Sequence, residues 1–295
     1  ETGVITTEEL GAKMRQIKPD FLDGKERYTK KMVFDVEEKP TGTLNLGGGY
    51  GERSGLFFFS DVTLDNLFGT GQLVKLKTQF GQRSTTFNFK YHNPWMWDNR
   101  KSLTFEFWHS QSETLSFAGL NQDRAKFDQR RTGFQYALGL PVTYDWGTTH
   151  ALKVEDIKDL SYTHNSVSYE EDLYNIRAYT AGIYYDTRDY RLNPLSGRHY
   201  TLSVEKAFRL TSLSLDYTKV VASAVHFFPT FKNQTIAFRV MGGQLYAEDR
   251  LKDSELFFVG GPGTVRGYEG YPNSFAYGKQ MLVSNLEYRF VFNDS

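Results

Sequence analysis

The chain has 295 residues, with 35 basic and 35 acidic side chains, six histidines and no cysteine. Balanced charge leaves no electrostatic footprint for nucleic acid or another polyanion. Without cysteine there are no disulfides, thiolate metal sites or thiol nucleophiles, and the histidines lack metal-binding spacing, so no metal and no cofactor is expected.

The first element in chain order is "TTEELGAKMRQI" (6–17). Thr6 and Glu9 stand at capping-box spacing, and Leu10, Met14 and Ile17 share one helical face. Next, "KKMVFDVEEKP" (30–40) places Met32, Phe34 and Val36 on one side of a strand. Together they make a small α+β piece, residues 1–39, too short to fold alone.

From residue 40 the pattern changes. "TLNLGGGYG" (43–51) is a strand with Gly47, Gly48 and Gly49 in succession, a run that weakens packing and pairing. "QLVKLKTQFGQ" (72–82) sets Val74, Leu76 and Phe80 against Lys75, Lys77 and Gln79. "TTFNFKYHN" (85–93) sets Phe87, Phe89 and Tyr91 against Asn88, Lys90 and His92. "SLTFEFWHS" (102–110), "RTGFQYALGL" (131–140), "YTLSVEKA" (200–207) and "QTIAFRVMGG" (234–243) alternate alike. A polar residue at every second position breaks a helical stripe, so these are strands. Their apolar face is aromatic-rich and the chain offers no second layer to cover it, which points to lipid on that side and a wet lumen on the other. No run approaches the length of a membrane-spanning helix.

About twelve strands follow Gly42, and alternate turns are short and aromatic: "NLFGTGQ", "NPWMWDNR" and "PVTYDWGT". Trp95, Trp97 and Trp146 therefore lie at one end of the sheet, the place of an interfacial aromatic girdle. "DTRD", Asp186 to Asp189, reads as a solvated turn with local hydrogen bonds. "GGPGTVRG" follows a hairpin strand and no crossover helix follows it, so it is not a nucleotide loop. No GxSxG and no credible carboxylate pair argue for an enzyme.

Several of these segments resemble one family in order and spacing. "MVFDVEEKPTGTLNLGGGYG" (32–51) is similar to the junction between the last periplasmic POTRA module and the first barrel strand in the BamA superfamily of outer-membrane β-barrels. "VTLDNLFGTGQ" (62–72) resembles its second strand and first periplasmic turn, and "YYDTRDYRLNPLSGRHY" (184–200) its turn ending in Pro194 and Gly197. "FFVGGPGTVRGYEGY" (257–271) carries the signature of its long sixth extracellular loop in Val265, Arg266, Gly267 and Tyr268. The resemblance implies an all-β, transmembrane antiparallel β-barrel over 40–295, with about twelve strands present of an expected sixteen or so. It also makes 1–39 the end of the last POTRA module, so the chain reads as a fragment lacking its last strands.

The resemblance further implies that the sixth loop folds into the lumen and that Arg266 binds an acid on the inner wall. Glu287 in "SNLEYRF" is the matching acid, and its parity opposes Leu286, Tyr288 and Phe290, which makes it lumenal. A buried pair is expected, since arginine's planar fork suits a carboxylate in a confined lumen. In this family the first strand borders a weak lateral seam, and Gly47–Gly49 either soften it or make room for bulky neighbours. Replacing all three with valine should lock the seam.

The function implied is assembly of outer-membrane barrel clients without nucleotide, with periplasmic chaperones, accessory assembly lipoproteins and outer-membrane lipids as partners. A two-partner-secretion translocator is the alternative. The implied location is the outer membrane of a diderm bacterium, with the POTRA end in the periplasm.

Overall fold

A computed structural model of the protein describes residues 20–23, 30–33, 41–51, 55–82, 84–97, 100–117, 124–164, 167–247, 251–268 and 276–290. The helix expected over 6–17 and the second half of the strand expected over 30–40 lie outside them. The first half, Lys30–Val33 (β2), is a strand, paired antiparallel with Asp20–Asp23 (β1).

The main body is one twelve-stranded sheet in which each strand pairs antiparallel with its neighbours. Its first half comprises β3 (Gly42–Gly51), β4 (Gly55–Leu67), β5 (Gln72–Gly81), β6 (Ser84–Met96), β7 (Lys101–Phe117), β8 (Arg124–Pro141) and β9 (Trp146–Asp159). A short hairpin, β10 (Tyr162–His164) and β11 (Val167–Tyr169), stands outside the sheet. The second half comprises β12 (Asp172–Asp186), β13 (Gly197–Ala207), β14 (Tyr217–Pro229) and β15 (Gln234–Tyr246). A long connection then carries a 3₁₀ turn, Asp253–Glu255, and a small hairpin, β16 (Phe257–Val259) with β17 (Ala276–Gly278), before β18 (Gln280–Phe290) closes the order. The long connection joins the eleventh and twelfth strands of the sheet, as expected.

The strands run longer than the alternating segments alone suggest. β6 continues through a register shift between Asn93 and Met96, which spans Pro94, the residue that cannot donate to a ladder.

Register sorts the side chains into two faces. Lys75, Lys77 and Gln79 of β5 lie opposite Lys90, Asn88 and Thr86 of β6, while Val74 and Leu76 face Tyr91 and Phe89 on the other side. In β18 the even positions Leu282 and Leu286 are 79% and 74% exposed, whereas Val283 on the opposite face is buried. An apolar face this open, on strands of 10 to 18 residues, is a lipid-facing surface: such strands reach or exceed the ~9–11 residues that cross a bilayer. The protein has an all-β, transmembrane-barrel fold.

The buried core sits on the inner face. Ile157, Tyr174, Ile176, Tyr217 and Leu245 pack there beneath Leu251 and Phe257 of the long connection. Gly243 is required at that contact, because a Cβ there would lie 2.5 Å from the Phe257 ring.

The aromatic turns β4–β5, β6–β7 and β8–β9 share one end of the sheet. Phe68 and Trp97 occupy their turns with φ of 52° and 55°, a left-handed backbone disfavoured for bulky residues, and both rings are exposed. Trp95 stands in the last turn-side residues of β6 and Trp146 opens β9, so Trp95, Trp97 and Trp146 lie at this end, whereas the fourth tryptophan, Trp108, lies within β7. The Trp146 ring packs, tilted, 4.8 Å from Tyr185, which is 5.8 Å from Tyr200, giving a contiguous aromatic row across β9, β12 and β13.

The Asp186–Asp189 turn is locally satisfied. Arg188 forks onto Asp186 at 2.8 Å through two nitrogens, and Asp189 Oδ1 accepts from the Tyr190 and Leu195 amides at 2.8 and 3.1 Å. Burial pushes the Asp189 carboxyl up, but the Ser196, Tyr190 and Leu195 backbone donors hold it below its ordinary value. Gly197 has φ of 103° and packs against the Thr187 carbonyl, a position open only to glycine.

Candidate functional site

The long connection folds its tip back onto the inner wall. Between Gly260 and Tyr268 the chain closes on itself: Gly261 N donates to the Tyr268 carbonyl at 2.7 Å, and Gly260 N donates to Thr264 Oγ1 at 2.7 Å. Gly260, Gly261 and Gly267 have φ of 142°, 81° and 85°, so the bends on both sides of the Val265–Arg266 pair need glycine.

Arg266 donates through Nη2 to Glu287 Oε1. The sequence-expected pair is therefore present, and Glu287 lies on the inner face of β18 opposite the small Ala237. Its surroundings differ from expectation in one respect. Arg266's side chain is 72% exposed against 27% for Glu287, so the pair is not buried. The tip hydrogen-bonds to β15 and β18, and most of the guanidinium surface stays open to screening by water.

Three wall residues complete the contact, and sequence reasoning did not single them out. Arg289 forks onto the second oxygen, Glu287 Oε2, at 2.9 and 2.7 Å, so one carboxylate is shared by two guanidiniums. Asn285 Nδ2 donates to the Thr264 carbonyl at 2.8 Å, and Arg239 Nη1 donates to the Gly263 carbonyl at 2.8 Å. The signal was available in part: Arg239, Asn285 and Arg289 are polar residues of inward parity in alternating strands. A cleft of about 580 Å³ opens beside this contact, lined by Arg191, Arg239, Arg266, Arg289 and Glu287, which makes it electropositive.

The glycine run lies at the opposite edge. β3 pairs only with β4 among the described strands, so its other edge presents backbone amides and carbonyls. In register, Gly47, Gly48 and Gly49 face Phe59, Phe58 and Phe57. A Cβ on Gly47 or Gly48 would stand 2.7 or 2.9 Å from those rings, and one on Gly49 would stand 3.2 Å away. The room left by the missing side chains is thus filled by phenylalanines, and the backbone of β3 is paired but carries no side chains of its own there.

Residues 66–295 match the model of the Omp85 superfamily domain. The chain is 24% identical to outer membrane protein assembly factor BamA of Neisseria meningitidis over 79% of its own length and 31% of that protein's. It is also 24% identical to the chloroplastic outer envelope protein 80 of Oryza sativa, over 84% of the chain and 40% of that protein. Among solved structures, BamA from Haemophilus ducreyi lacking POTRA domains 1–3 superposes with a TM-score of 0.61 at 19% identity, covering 90% of this chain and 54% of that one. CdiB from Escherichia coli gives 0.64 at 12% identity, covering 95% and 53%. The chain spans about a third of the Neisseria relative and about half of each solved neighbour.

Proposed function

Because the chain belongs to the Omp85 superfamily, we propose that it is the barrel part of an outer-membrane protein assembly factor, which folds and inserts β-barrel clients through a weak lateral seam. The observation that carries this reading is β3, which pairs only with β4 among the described strands and whose Gly47–Gly49 bring no side chains of their own to that pairing. Such an edge can template an incoming client strand by backbone pairing. The energy of insertion comes from pairing and burial, so no covalent step, nucleotide or metal is involved. The Arg266–Glu287–Arg289 cluster acts as a latch that holds the loop inside the lumen, a structural role rather than a chemical one.

In this reading residues 40–295 sit in the outer membrane of a diderm bacterium and 1–39 end the last periplasmic POTRA module. The short turns face the periplasm, Trp95, Trp97 and Trp146 sit at the headgroup level there, and outer-membrane lipids meet the apolar face. Unfolded clients arrive with periplasmic chaperones, and accessory lipoproteins bind on the same side. The likeness to CdiB supports a second reading, a polypeptide translocator of the same superfamily.

Reconstitution separates the two. Full-length protein in lipid vesicles should accelerate folding of a urea-unfolded barrel client several-fold over empty vesicles, read as heat-resistant compact migration on a gel. Equal rates would overturn the assembly reading, and passage of an extended client into the vesicle without folding would replace it with the translocator.

A further inference from the structure

The same long connection is fixed a second time, at its root, by residues of β8, β9 and β14. Arg131 of β8 donates through Nη2 to Glu255 Oε1 at 2.7 Å, and its Nη1 lies 3.6 Å from Glu155 Oε2 of β9. The side chains of Glu255 and Glu155 are only 10% and 7% exposed. Several surrounding polar groups are engaged as well. Gln129 Oε1 accepts from Arg131 Nε at 2.8 Å, Trp108 Nε1 donates to Glu155 at 3.0 Å, and Lys219 Nζ donates to the Glu255 carbonyl at 3.1 Å. Tyr174 OH and Ser254 Oγ lie 3.2 Å apart, Lys252 pairs with Asp172, and the Lys219 ammonium sits 4.6 Å over the Phe257 ring.

The two attachments differ in kind. The root is a desolvated guanidinium between two carboxylates, backed by Leu251 and Phe257 of the buried core. The tip is an exposed pair open to screening. Between them stand Gly260 and Gly261, both with positive φ and free to change it.

We propose that the loop is held at two independent points: Arg131 with Glu255 and Glu155 is a permanent clamp and pivot, and the Arg266 tip is the releasable end. Arg131 and Glu255 are thereby positioning residues, which keep the tip facing its latch whether or not the latch is closed.

Single cysteines at Leu256 and Val265, two partly covered side chains, test this in the full-length protein in outer-membrane vesicles. The readout is the rate of labelling by a soluble maleimide. Raising salt, or Arg266→Ala, should speed labelling at 265 up to about fivefold, equivalent to ~1 kcal/mol of lost attachment, and leave 256 unchanged. Glu255→Gln should speed labelling at 256, and Arg131→Gln should do the same. If Arg266→Ala or salt frees both positions together, the two points are one unit and the proposal fails. It fails equally if Glu255→Gln leaves 256 protected. The salt arm needs no substitution at Arg131, Glu255, Arg266 or Glu287, so it stands even where a clamp variant does not fold.

Discussion

Glu287→Ala will damage function more than Arg266→Ala, and the double variant will be no worse than Glu287→Ala alone. The order follows from the shared carboxylate. Removing Arg266 breaks one charge-assisted bond, while removing Glu287 leaves both Arg266 and Arg289 without their acid. Magnitudes decide where the effect appears. An exposed pair contributes only about 0.2–1 kcal/mol to stability, so the thermal transition of Arg266→Ala should barely move. The tip would still keep its Asn285 and Arg239 contacts to backbone carbonyls, which hold it near the wall but not in register. The loss therefore falls on loop position and so on activity. Rescue of cells depleted of the full-length protein measures it, together with a double-mutant cycle, and additive losses within about 0.5 kcal/mol would show that the two residues act separately.

The second large effect concerns the glycine run. Valine at Gly47 alone, or at all three positions, collides with the phenylalanine rings, so a loss of function there reports broken β3–β4 packing rather than a locked seam. Gly47→Val with Phe59→Ala removes the collision and keeps the register. This double variant should fold normally, yet assemble clients about two- to fivefold more slowly. That figure follows from the ~0.5–1 kcal/mol by which a glycine weakens a strand. Client folding in vesicles is the measurement. Full restoration of the rate would mean that the glycines serve packing alone and that a soft first strand plays no part.

Most of the fold was legible in the chain because a two-sided sheet writes itself as alternation. Lys75, Lys77 and Gln79 against Val74 and Leu76 can satisfy only a strand with a wet face and an apolar one, and the short aromatic turns mark one end. The latch pair was legible for a different reason: the loop motif supplied Arg266, and strand parity placed Glu287 on the inner face. What remained hidden depends on register or on closure of the chain in space. That Phe57, Phe58 and Phe59 fill the gaps left by Gly49, Gly48 and Gly47 requires knowing which residues face each other across β3 and β4. The clamp joins Arg131 to Glu255 across 124 positions, and no local pattern marks such a pair. The openness of Arg266 was misjudged because an arginine aimed into a lumen need not be covered on every side.

The proposed assembly of other barrels is tested most directly by depleting the full-length protein in its host and quantifying the whole outer-membrane proteome. The account predicts a general fall in β-barrel proteins, with unfolded clients collecting in the periplasm. Loss of only one or two secreted substrates, with the other barrels intact, would contradict it and establish a dedicated translocator.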